Sequence, residues 1–377
     1  MPSADAVLLY SLFLTFIGTL LLFNLLVLNR SSEVIHASKA LRQAGLWATL
    51  GLSFSAVVYW LYETHTFGLG VPPDPSAVGF PASGKEAAAL FIQGYLLELM
   101  LSLDNMMVIG MVMTFFAVPP RLQHRVLFWG IIGAVVLRAL MIAVGAALVQ
   151  SFDWIIYVFG AILLFSAYKL LFLGEGDDND LSNNRIVRIA RAIIPVSPEF
   201  DENRFFTKKK TNGHWHATPL FLALVVVELI DVVFAVDSIP AIFGITRDPF
   251  IVLSSNCFAI LGLRALYFAV AALVDKFKKL KLAMIVILIF IGVKMLLPGL
   301  FKLAGWAAAR LSASSPEPHA SAPWSVPESW LHLVHSPFLS LFVILGLMGC
   351  GILWSIASPQ QRPSLPDERP SNTPPTN

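Results

Sequence analysis

Five carboxylates stand inside long apolar runs of this chain: Glu98, Asp104, Glu228, Asp231 and Asp237. They fall in two stretches, Glu98-Leu-Met-Leu-Ser-Leu-Asp104-Asn105 and Glu228-Leu-Ile-Asp231-Val-Val-Phe-Ala-Val-Asp237-Ser238. An ionised side chain at the centre of a bilayer costs about 3 kcal/mol or more, so such residues are paired or functional. With Asn105 and Ser238 the acids offer carboxylate, amide and hydroxyl oxygens, a ligand set that suits hard divalent cations such as Mg²⁺, Ca²⁺ and Mn²⁺. Neither stretch holds a thiol or an imidazole, which argues against zinc or copper. Met106, Met107, Met111 and Met113 follow Asn105 and are read as packing residues before soft ligands.

Helix arithmetic orders these groups. Residues seven apart share a face and residues six apart do not. Glu98 therefore faces with Asn105, and Asp231 with Ser238, while Asp104 and Asp237 point elsewhere unless the helices unwind locally. Pro240 would supply such unwinding, because it cannot bond the carbonyl of Val236. Arg138, Arg264, Lys169 and Lys294 also lie in apolar surroundings, so the buried charges sum to about one net negative. For the bases, the simpler reading is a salt-bridge network that supports the site. Lys169 and Lys294, near span ends, have the further option of snorkelling. If some carboxylates are protonated when empty, cation entry expels protons, which makes cation/proton antiport the natural mechanism.

The elements that must position these residues are membrane spans. Of the 377 residues 56% are hydrophobic and only 13% charged, against roughly 25% charged in soluble domains. Nine apolar runs are long enough to cross, near 7–28, 45–62, 88–117, 126–149, 154–173, 218–243, 250–273, 282–297 and 336–356. The first is read as a retained helix, since no basic region precedes it. Basic residues concentrate in alternate loops: Arg30, Lys39 and Arg42; Arg121 and Arg125; Arg185 to Lys210; and Lys276 to Lys281. The positive-inside rule then places the N-terminus outside and the C-terminus in the cytoplasm. Residues 174–217 are expected as a cytoplasmic loop and 298–335 as a periplasmic segment, loosely structured or lying on the membrane surface. The Pro- and Ser-rich tail 358–377 is expected to be disordered.

The spans also repeat. Residues 98–105 align with 231–238, Leu137-Arg138-Ala139-Leu140 with Leu263-Arg264-Ala265-Leu266, and Lys169-Leu170-Leu171 with Lys294-Met295-Leu296. Spans 3–5 therefore correspond to spans 6–8 and enter the membrane from opposite sides. The expected fold is an all-α polytopic bundle with a 3+3 inverted repeat, repeat A near 88–173 and repeat B near 218–297. Secondary transporters of this design bind substrate at the midplane between the halves.

Three runs carry a family resemblance: Glu98…Ser102-Leu103-Asp104-Asn105; Val227-Glu228-Leu229-Ile230-Asp231 continuing through Asp237-Ser238-Ile239-Pro240-Ala241-Ile242; and Phe258-Ala259-Ile260-Leu261-Gly262-Leu263-Arg264-Ala265. With Asp248-Pro249-Phe250-Ile251-Val252-Leu253 and Phe152-Asp153-Trp154-Ile155 they resemble the TerC family, and within it the Alx-like branch of manganese exporters. The likeness covers roughly residues 7–297 and the last span. It implies one TerC-type transmembrane domain over 1–357 in a bacterial inner membrane, of the LysE-like superfamily, exporting Mn²⁺. Glu98, Asp104, Asn105, Glu228, Asp231, Asp237 and Ser238 match the motif positions and would hold the ion. The 298–335 segment is longer than the resemblance leads one to expect. Tellurium resistance, which the family name evokes, is not explained chemically, because an acid-lined site repels an oxyanion.

Rival readings are a non-transporting factor for membrane-protein insertion or assembly, and an intramembrane aspartyl hydrolase built on Asp104 and Asp237. The hydrolase lacks the usual Gly-x-Gly-Asp setting. No P-loop, dinucleotide fingerprint or nucleophile elbow occurs, so no enzymatic activity, cofactor or nucleic-acid partner is expected. His214-Trp215-His216 reads as an interfacial Trp with polar neighbours before a metal clip. Glu63 and His65 read as a solvated helix end.

Overall fold

The structure is a computed structural model and describes residues 4–24, 37–71, 79–172, 187–188, 204–208, 215–272, 280–311 and 336–357. Ten helices account for nearly all of these. They are α1 (Ala4–Phe23), α2 (Ala37–Glu63), α3 (Gly84–Phe115), α4 (Pro120–Ser151), α5 (Ile155–Phe172), α6 (Pro219–Phe243), α7 (Pro249–Leu261), α8 (Leu263–Ala272), α9 (Leu280–Leu311) and α10 (Pro337–Ala357). Among the described residues eight are long and apolar enough to cross a membrane, and the α7–α8 pair, bent by 49°, passes the same test together, which gives nine if the pair is one broken span. A helix is what such apolar segments must form, because lipid offers the backbone no hydrogen-bond partner.

The termini carry their own signals. Ser83 caps α3 by accepting from the Glu86 amide at 3.3 Å, and Glu86 Oε2 accepts from the Ala82 amide at 2.9 Å. Asp248 caps α7, accepting from Phe250 and Ile251 at 3.0 and 3.2 Å, with Pro249 at the first helical position. Glu63 joins α2 to α3 by accepting from the Gly84 amide at 3.0 Å, and His65 Nδ1 meets the Leu69 carbonyl.

The most enclosed span is α3, which packs against α2, α6, α7, α8 and α10. Helix α4 lies on α6 and α7, and α5 on α6 and α9. The outward faces of α4, α5 and α6 present Val136, Leu140, Phe165, Phe172, Val233 and Val236 to lipid. Helices α5 and α9 cross at Gly160 and Gly292, where a side chain on either glycine would stand 3.2 Å from the other's carbonyl oxygen. Close approach of this kind replaces the missing hydrophobic drive between helices in lipid. Gly160→Val should therefore cost about 1–3 kcal/mol by overpacking, read as a lowered unfolding midpoint in detergent.

Three expectations need correction. Helix α6 runs unbroken through Pro240 to Phe243, so the backbone does not unwind at Asp237. Pro240 stands three residues from the helix end, where one missing bond costs little. The bend falls instead at Gly262, between α7 and α8. Second, the segment 298–335 is not loose from its start: α9 continues through Pro298 to Leu311. Third, the loop 174–217 ends in an antiparallel hairpin, β1 (Phe206–Lys208) with β2 (Trp215–Ala217), pairing Thr207 with His216. Phe206 packs on Phe221 of α6, and the Arg125 guanidinium of α4 lies 4.9 Å over the Phe205 ring. Trp215 and His216 thus belong to a strand, and His214 lies outside the described residues.

Candidate metal-transport site

Arg138 of α4, 2% exposed, is the hub of the bundle. Its Nε and Nη2 donate to the two carboxylate oxygens of Asp231 on α6, at 3.3 and 3.0 Å, a side-on bidentate pair. Its Nη1 pairs with Glu98 of α3 and donates to Asn256 Oδ1 of α7 at 3.4 Å. The Asn256 amide is oriented by its own donation to the Val252 carbonyl at 3.1 Å. Ser102 donates to Glu98 from one turn on, at 3.4 Å. One cation and two anions, contributed by three helices and steadied by a fourth, leave this cluster one negative charge in excess.

Beside the cluster lies a cavity of about 30 Å³, lined among others by Met106, Glu228, Asp231 and Arg264. That volume admits one or two water-sized groups. Glu228 lies against Gly133 of α4, and a Cβ there would run into the Glu228 carboxylate as it is placed. Glu228 Oε2, Arg264 Nε and Ser238 Oγ are buried without hydrogen-bond partners. A carboxyl and a guanidinium facing one cavity yet unpaired are uncommon, since buried polar groups are normally matched.

The helix arithmetic holds. Glu98 and Asn105 are buried together, as are Asp231 and Ser238, whereas Asp104 and Asp237 are half-buried on other faces. Because α6 does not unwind, Asp237 points to α5, where it accepts from Ser166 at 2.6 Å and feels the charge of Lys169. The expectation of one shared centre therefore gives way to two loci. The first unites Glu98, Asp231, Glu228, Arg138 and Arg264, and the second joins Asp237 to Ser166 and Lys169. Among the described residues no three Asp, Glu, His or Cys side chains converge on one ion position. Lys294 also stands apart from the acids, buried on α9 and donating to Ser340 of α10 at 2.8 Å. Ser166→Ala should cost about 1 kcal/mol, seen as a shift of the denaturant midpoint.

Asn256 and Ser166 escaped the reading of the sequence, and Ser102 entered it only as part of a motif. For Asn256 a signal exists: Ser254-Ser255-Asn256 places three polar residues together in an otherwise apolar span, and all three are buried. Nothing comparable marks Ser166.

A model of the TerC family of integral membrane proteins matches residues 83–362, well over half of the chain. The chain belongs to the TerC family. Among relatives, a Myxococcus xanthus membrane protein, STKORF319, is 36% identical over 369 residues, covering 98% of each chain. Alx of Escherichia coli K12, named as a proposed membrane-bound redox modulator, is 43% identical over 298 residues, 79% of this chain and 88% of its own. The thylakoid membrane protein TERC of Arabidopsis thaliana is 46% identical over 269 residues, 71% of this chain and 67% of its own. No solved structure matches. Both charged loci of this TerC protein, together with Asn256, fall inside the matched region.

Proposed function

We propose that this TerC protein is a transporter that exports Mn²⁺, with proton coupling, through the site between α3, α4 and α6. The observation that carries the reading is the surplus of buried carboxylate at the Arg138 hub, next to a cavity into which Glu228 projects without a partner. A structural network alone would be stable with its charges matched, whereas an uncompensated carboxylate beside a cavity is what a divalent cation needs. The packing also agrees with the proposed inverted repeat: α3 against α7 corresponds to α6 against α4, and α5 meets its counterpart α9. The orientation that goes with this reading has the N-terminus outside and the C-terminus in the cytoplasm of a bacterial inner membrane.

The redox role in the name of Alx has no thiol pair to act through here: Cys257 is buried, Cys350 is exposed, and both are free. A manganese exporter would alter redox balance indirectly, through the metal. Asp237, the one acid of the second locus, fits a proton-handling role with Ser166 and Lys169 because it is held away from the cavity.

Binding is tested by electron paramagnetic resonance of Mn²⁺ added to purified protein. Wild type should remove free Mn²⁺ signal in near-stoichiometric amount, and Asp231→Asn should weaken binding about 10–100-fold. Equal uptake by both proteins would refute the site.

A further inference from the structure

Arg138 and Arg264 occupy equivalent places in the two matched halves, each inside a Leu-Arg-Ala-Leu run. The structure treats them differently. Arg138 is saturated by Glu98, Asp231 and Asn256. Arg264 is also buried, yet among the described residues it makes no hydrogen bond or ion pair, and its Nε is without a partner. It nevertheless lines the same cavity as Asp231 and Glu228.

We infer that the two arginines are alternating tethered counter-ions: Arg138 holds the Glu98–Asp231 pair in the state seen here, and Arg264 takes that pair over in the oppositely facing state. This rests on the transporter reading and its inverted repeat, in which the two access states are related by exchanging the conformations of the halves. Between the exchanges, the acids are free for a divalent cation. The guanidinium thus acts as a built-in competitor that keeps the empty site neutralised enough to cross the membrane midplane.

The fold supplies the hinge. Helix α4 passes straight through Arg138, whereas the corresponding span breaks by 49° at Gly262, two residues before Arg264. In the proposed exchange, straightening this break would carry Arg264 toward the acids. Gly262 is not required by packing, since an added Cβ would meet Trp47 at an ordinary 3.4 Å. A glycine with room around it, at a bend next to an unpaired charge, is suited to straightening.

The test uses one reporter, Ala134→Cys in the cavity wall, in full-length protein with Cys257→Ala and Cys350→Ser. A membrane-impermeant maleimide is added to right-side-out and inside-out vesicles without Mn²⁺. The parent should label from one preferred side. Arg138→Gln should reverse that preference by fivefold or more, and Arg264→Gln should sharpen it. Arg264→Gln removes only an unpaired cation and is expected to fold. Should Arg138→Gln fail to fold, Gly262→Ala takes its place, because alanine favours the straight helix and should shift labelling in the same direction. Both arginine variants moving the same way, neither moving, or no labelling from either side would overturn the inference. A protein that changes sides as described but carries no Mn²⁺ would refute the cargo and leave the exchange standing.

Discussion

Arg138→Leu should lower the stability of the protein by about 3–5 kcal/mol, the largest single-residue effect in the membrane domain. Glu98 and Asp231 share this one guanidinium, and all three side chains are almost wholly shielded. Removing it leaves two carboxylates that shared one guanidinium with no cation between them. The loss appears as a collapse in folded yield and a lower unfolding midpoint in detergent. The triple replacement Glu98→Leu, Arg138→Met, Asp231→Leu removes the charges together and should recover most of that stability, because apolar packing substitutes well for a buried ion triad. It should recover no Mn²⁺ transport. That divergence separates what the triad does for the fold from what its acids do for a cation.

The second large effect is of opposite kind. Glu228→Gln should leave stability unchanged or slightly raised, while cutting Mn²⁺ transport tenfold or more. Glu228 is half-buried, and among the described residues it has no ion pair, so the fold loses nothing with its charge. The cavity loses a carboxylate for which the alignment of 98–105 with 231–238 has Tyr95 as the counterpart. Gly133→Leu is expected to reproduce the transport defect without touching the acid itself, because the added side chain takes the space that Glu228 fills. Equal loss of stability and transport in Glu228→Gln would assign the residue to structure instead.

Much of this architecture is legible in the sequence because lipid makes few allowances. A run of apolar residues long enough to cross must be helical, and eight of the nine expected spans each have a helix, the other being the bent α7–α8 pair. The acids announce themselves through cost, and the seven-residue spacing puts Glu98 with Asn105 and Asp231 with Ser238. Two things were not legible. One is where the backbone gives way: Pro240 looks like a break and is absorbed at the end of α6, while Gly262 looks unremarkable and is the bend. Glycine is common in membrane helices, and only the packing around it decides whether the helix continues. The other is partner choice. Asp237 turns to Ser166 and Lys294 to Ser340 because of how α5 and α10 dock, information that no single span carries. The helical stretch beyond Pro298 and the hairpin before α6 are likewise settled by neighbouring contacts and not by local pattern.

The most direct measurement is Mn²⁺ flux into liposomes containing the purified full-length protein, with and without an imposed proton gradient. Wild type should carry Mn²⁺ faster when protons can move the other way, and Asp231→Asn, Asp104→Asn and Asp237→Asn should each slow it by tenfold or more. A wild-type protein that moves no divalent cation, or acid variants that transport as well as wild type, would contradict the transporter account.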